Sequence, residues 1–161
     1  MSLEEVRAKN IQLVSEKALD CFIKNGIANT KVADIAKAAG LTERSVYRYF
    51  EAKSDIVIAA AFCYWNRTKE HISRELSMHD YRDLSGIEQI SIILNSYANI
   101  LFIDPEGIRF SLDAEIALYS AGKNERVINR PPERFEEHSG PLSVAIEKGL
   151  KDGTVDPKAD I

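Results

Sequence analysis

Apolar positions along this chain recur every three to four residues, and no strand alternation survives beyond isolated residues. Ile11, Val14, Ala18 and Phe22 predict a first helix from about Leu3 to Lys24, stopped at Asn25-Gly26. Val32, Ile35, Ala36 and Ala39 share one face of a short second helix. Gly40 supplies the positive φ that ends it, and Thr42 is placed to cap a third helix whose inward side is Val46, Tyr49 and Phe50. A long helix follows from about Ala52 to Ser77, with a seam of Ile58, Phe62, Trp65, Ile72 and Leu76 that Lys69 interrupts.

The second half is read in the same way. Met78 to Gly86 breaks the period and reads as a loop. Ile87, Ile90, Ile93, Leu94, Tyr97, Leu101 and Phe102 make a helix that is apolar on most of its circumference, which predicts a buried central helix. Asp104-Pro105 starts another, carrying Phe110, Leu112, Ile116, Ala117 and Tyr119 to about Ser120. The stretch AGKNERVINRPP reads as a loop. A last helix is expected from about Pro132 to Lys151, with Phe135, Leu142, Ile146 and Leu150 inward and a kink or break at Gly140-Pro141. The predicted fold class is all-α, without internal repeats or low-complexity tracts.

Thr30 to Lys53 has the pattern of a helix-turn-helix, whose second helix presents Thr42, Glu43, Arg44, Ser45, Tyr47 and Arg48. In a major groove Arg44 can donate to guanine O6 and N7, and Thr42 and Ser45 are short enough for bases or phosphates. Tyr47, Arg48 and Lys53 suit flanking phosphates, which position a module without reading sequence.

Charge changes this picture only locally. The 161-residue chain is 45% apolar and 29% charged, with a formal net charge of −4, which argues against a nonspecific nucleic-acid coat. Between Thr30 and Lys53, however, Lys31, Lys37, Arg44, Arg48 and Lys53 outnumber Asp34, Glu43 and Glu51. Cys21 and Cys63 lie in apolar helical contexts without a C-x-x-C spacing, as buried thiols in a reducing compartment would. The N-terminus MSLEEVRAKN is too charged for a signal peptide, and no apolar run approaches the ~20 residues that span a bilayer. The expectation is a cytoplasmic protein with no membrane partner.

Catalytic and metal chemistry find little support. His71 and Glu75 share a helix face but lack a third ligand, and His79 and His138 lie in or near loops. A nucleophile elbow, a phosphate-cradling Gly loop and an H-E-x-x-H pair are all missing. Asp113 and Glu115 point to different faces of their helix, so they do not form an acid/base pair. Neither an enzyme nor a cofactor is expected.

VSEKALDCFIKNGIANTKVADIAKAAGLTERSVYRYFEAKSDI resembles the DNA-binding domain of TetR-family transcriptional repressors. The resemblance rests on an aliphatic first helix, a Phe four residues before a Gly, a Thr, then IA, AG, Y-x-Y-F and a Lys, in order and at the family's spacing. It covers roughly the first third of the chain. It implies that Thr30, Thr42, Arg44, Ser45, Tyr47, Arg48 and Lys53 sit where the family contacts DNA. Glu43 departs from the pattern, since a neutral or basic residue is more common there; an acid repels phosphate but can accept from cytosine N4.

The resemblance further implies a helix-turn-helix domain over residues 1–53 and a helical regulatory domain over 54–161. It implies a homodimer on a palindromic double-stranded operator, and a small-molecule effector that releases the repressor. The two helices that pair as a four-helix bundle in the family are missing after DGTVDPKADI. Either the sequence is a truncated form or the dimer uses other surfaces. Trp65, Tyr97, Phe110 and Tyr119, with Lys69 and Glu115, are the expected ligand-binding residues, on helices that should pack together. The long helix would act as a lever between ligand and DNA. The alternative is a ligand-independent DNA-binding protein whose C-terminal domain binds a protein partner.

Overall fold

The computed structural model describes residues 2–77, 81–120, 122 and 140–158. Among them are seven α-helices, one 3₁₀ turn at Tyr81–Asp83 and no strand. The helices are α1 (Leu3–Asn25), α2 (Val32–Ala38), α3 (Glu43–Tyr47), α4 (Lys53–Ser77), α5 (Gly86–Ile103), α6 (Pro105–Ser120) and α7 (Pro141–Asp152). Residues 78–80, the expected loop over 121–132 apart from Gly122, Phe135 and the start expected for the last helix lie outside the described residues, as do His79 and His138.

The chain divides into two compact units. Met1–Asn66 with Glu106–Arg130 forms the first, and Arg67–Pro105 with Pro131–Ile161 the second.

The first unit is built on α1. Ser2 and Glu5 form a reciprocal capping box at its start, and Gly26, at φ 80°, ends it. Its buried stripe of Val14, Ala18, Leu19 and Phe22 joins one core with Val32, Ile35 and Ala36 of α2, Val46 of α3, and Phe50. Ile56, Val57, Ala60 and Tyr64 of α4, with Phe110, Ala114 and Leu118 of α6, complete it. Phe22 stacks on Phe110 at 6.0 Å, and Tyr64 meets the same ring edge-on at 6.2 Å. The Arg109 guanidinium donates to the Ile23 carbonyl at 3.2 Å, so α6 also serves the C-terminal turn of α1.

The inward stripe of α4 differs from the expected seam. Buried positions are Ile56, Val57, Ala60, Tyr64, Thr68, Ile72 and Leu76, whereas Trp65 is 46% exposed. A four-residue step from Ala60 passes through 64, 68, 72 and 76, leaving Trp65 off the stripe.

The second unit corrects three further expectations. α5 is not a buried central helix: Ile93 and Ile100 are buried, but Leu94, Leu101, Phe102 and Ile103 are exposed, Phe102 at 84%. The run Gly86–Ile103, 18 residues, is long and apolar enough by those measures alone to cross a membrane, contrary to the expectation that none approached this length. In the second unit it packs against α7. On α7, Ala145 and Gly149 are the buried residues, and Leu150 is exposed. Small residues face inward because the two backbones nearly touch: a Cβ on Gly86 would strike the backbone of Gly149 and lie 2.9 Å from the Ala145 carbonyl oxygen. Gly140-Pro141 does mark a boundary, with Gly140 as N-cap and Pro141 at the first position of α7.

Polar groups close this contact. The Gly86 N–H donates to the Asp152 carboxylate at 2.8 Å and the Ile87 N–H to the Thr154 hydroxyl at 3.1 Å. The end of α7 thus satisfies the first donors of α5 across more than sixty residues of sequence. The Gln89 amide donates to the carbonyls of Tyr81 and Leu84, both at 3.0 Å, and Lys148 to that of Arg82.

Gly86→Ala should lower the unfolding free energy by about 1–3 kcal/mol through overpacking, read as a shift in the urea midpoint. The same contact predicts a pH dependence. The Thr154 hydroxyl, the Gly86 N–H and the Thr154 N–H hold the Asp152 carboxyl below its ordinary range, and the Ser85 hydroxyl and N–H do the same for Glu88. Both contributions are complete above the ordinary carboxylate value of about 4 and are lost as pH falls through the lowered folded value. Asp152→Asn should flatten the acid limb of a stability–pH profile; an unchanged limb would rule out this linkage.

Candidate nucleic-acid interface

α3 is five residues long, too short to persist by itself, so its geometry comes from what surrounds it. Gly40, at φ 67°, reverses the chain after α2, and the Leu41 N–H returns to the Ala36 carbonyl at 2.9 Å. Thr42 caps α3, its hydroxyl accepting from the Ser45 N–H at 3.2 Å and lying 2.9 Å from the Ser45 hydroxyl. Val46 is fully buried and Phe50 nearly so. With that side fixed, Thr42, Glu43, Arg44, Tyr47 and Arg48 are exposed and Ser45 is half-buried.

Two further residues named from sequence have structural partners. Thr30 is 1% exposed, and its hydroxyl donates to the Gly26 carbonyl at 2.8 Å, with the Cys21 carbonyl at 3.2 Å. Its side chain is therefore withdrawn from the presenting face and fastens the end of α1. The half-buried Lys53 ammonium donates to the Ile27 carbonyl, tying the start of α4 to the loop after α1.

Arg7, and the pairing of Asn10 with Tyr49, enter the site without a clear sequence signal. The Asn10 amide donates to the Tyr49 hydroxyl at 2.9 Å. The guanidinium groups of Arg7 and Arg48 each lie 5.9 Å from the centroid of the Tyr49 ring, within cation–π range. α1 thus brings a second exposed arginine beside Arg48. The separation from Asn10 to Tyr49 is 39 residues, beyond any local pattern.

The residues expected to bind a ligand have varied surroundings. Phe110 is buried in the first unit against Phe22 and Tyr64. Trp65 contacts Tyr64 edge-on at 6.3 Å. Glu115 and Tyr119 are exposed on α6, Tyr119 at 73%. In the second unit Lys69 and Tyr97 are half-buried. None of the six lines the cavity found in that unit. Cys21 and Cys63 are half-buried free thiols, and burial pushes both upward in pKa, which favours the protonated form.

A short capped helix presented after a glycine turn on a helical core has the geometry of a helix-turn-helix. Comparison with known proteins carries this to a family. Residues 15–60 match the model for bacterial regulatory proteins of the tetR family. The chain is 34% identical over 83 residues to the HTH-type transcriptional regulator TtgR of Pseudomonas putida, covering 52% of this chain and 39% of that protein. It is 40% identical over 45 residues to the regulator AcrR of Shigella flexneri, covering 28% and 21% respectively. It thus spans about two-fifths of the length of TtgR. In fold it is similar to the TetR-family regulator PfmR of Thermus thermophilus, with a TM-score of 0.53 at 20% identity over 91% of this chain and 75% of PfmR. Residues 15–60 are thus similar to the DNA-binding domain of the bacterial regulatory proteins of the tetR family.

Thr30→Val, which keeps the shape and removes the hydroxyl, should cost about 1 kcal/mol of stability. Arg44→Ala, on the exposed face, should change it by no more than about 0.5 kcal/mol. Denaturant titration of both variants checks the division between anchoring and presenting residues.

Proposed function

We propose that this protein is a repressor that binds a palindromic operator as a homodimer in the cytoplasm and is released by a small-molecule effector. The observation that carries the DNA-binding part is the exposed set Glu43, Arg44, Tyr47 and Arg48 on a helix whose other side is locked by Val46. Arg44 reads a guanine edge, Glu43 favours a cytosine amino group nearby, and Tyr47 and Arg48 hold phosphates, with Arg7 adding charge beside them. The effector acts by displacing α4, whose N-terminal turn is tied to the helix-turn-helix through Lys53.

A second reading, a ligand-independent regulator with a protein partner, is favoured by the exposed Leu94, Leu101 and Phe102 of α5. A thermal-shift screen separates the two readings: a stabilising compound that also releases DNA supports the effector, and DNA binding that no compound alters supports the partner.

Operator selection from random DNA followed by titration of variants tests the assignments. Arg44→Ala should relax preference at one base pair per half-site, costing about 1–3 kcal/mol there. Arg48→Ala should weaken all sequences alike and reduce the salt slope by about one per subunit. An unchanged preference in Arg44→Ala would remove it from base reading.

A further inference from the structure

The second unit holds a cavity of about 400 Å³ between α4 and the C-terminal end of α5. Arg67, His71 and Arg74 contribute from one strip of α4, at the i, i+4 and i+7 positions that share a helix face. Ile100 and Ile103 contribute apolar surface from α5. The acids beside it are Glu70 and Asp104.

Three observations fix the chemistry it suits. The Nε2 atom of His71 is buried and has no hydrogen-bond partner among the described residues, although buried polar atoms are nearly always satisfied. Arg67 forms an ion pair with the Asp104 carboxylate at 3.8 Å, longer than a hydrogen bond. Arg74 is exposed, and no ion pair described in the structure engages it. Glu70 is exposed as well, so solvent screens its opposition to an anion. Guanidinium groups match planar oxyanions in a bidentate manner, and an imidazole N–H supplies a third donor. Ile103, 59% exposed, offers apolar surface for the remainder of a ligand.

We propose that this cavity binds a small amphipathic carboxylate. Its head accepts from Arg74 and from His71 in the Nε2–H tautomer, and its apolar body covers Ile100 and Ile103. This names the chemical class of effector for the ligand-gated reading above, and it rests on that reading for any effect on DNA, while binding itself is independent of it.

Calorimetric titration of the whole chain with octanoate and 4-phenylbutanoate, beside the amides and amines of the same carbon skeletons, tests it. The carboxylates should bind at least tenfold more tightly than their amides and amines. Arg74→Gln and His71→Ala should each weaken them at least tenfold, and Glu70→Gln should leave affinity equal or stronger. Because Arg74 is exposed, Arg74→Gln keeps the test valid even if the His71 variant unfolds. Absence of carboxylate binding, amines binding as well, or undiminished affinity in Arg74→Gln would overturn the proposal. Operator affinity measured by fluorescence anisotropy, without ligand and with saturating carboxylate, separates the two readings. Carboxylate binding without DNA release supports this site and overturns its role as the gate; release together with binding supports both.

Discussion

Burial of Val46 is the contact on which the presented face of α3 depends. A five-residue helix has almost no stability of its own, and the side that Val46 and Phe50 lose to the core determines which side Arg44 and Arg48 keep in solvent. Gly40 and Thr42 set where the helix begins, but the core of α1 and α2 sets where it points. Thr30 and Lys53 add to this by fastening the ends of α1 and α4 to the intervening loop. In this domain even residues expected from sequence to contact DNA serve the framework.

The second unit is held by a different principle. Its close contact is backbone against backbone at Gly86 and Gly149, and the polar groups of Asp152 and Thr154 serve the start of α5 as well as the end of their own helix. Close approach of this kind uses small residues. Leu150 is exposed, and α5 presents Leu94, Leu101 and Phe102 outward while Ile93 and Ile100 are buried. At the far end of α5, Arg67, His71 and Arg74 of α4 border a cavity.

The local elements of the first unit were legible because their signals are local. Capping by Thr42, the left-handed Gly40 and three- to four-residue spacing are properties of a few neighbouring residues, and helices α1 to α4 begin and end close to where those signals fall. The presenting residues of α3 follow from the same helical phase. By contrast, the exposure of Trp65 depended on a phase shift along a long helix with many apolar residues to choose from. The contacts of Arg7 and Asn10 with Tyr49, and those of Phe110 with Phe22, join positions far apart in the chain, for which no spacing rule exists.

Residue order alone therefore settled the all-helical class, the helix-turn-helix and the face it presents, since each is a matter of periodicity and capping within a turn or two of helix. Tertiary packing decided which apolar residues are covered, that Thr30 is an anchor, and that a cavity forms beside His71. Burial is a property of pairs of surfaces: a helix as uniformly apolar as α5 offers several equivalent faces, and only the partner that meets one of them makes the choice.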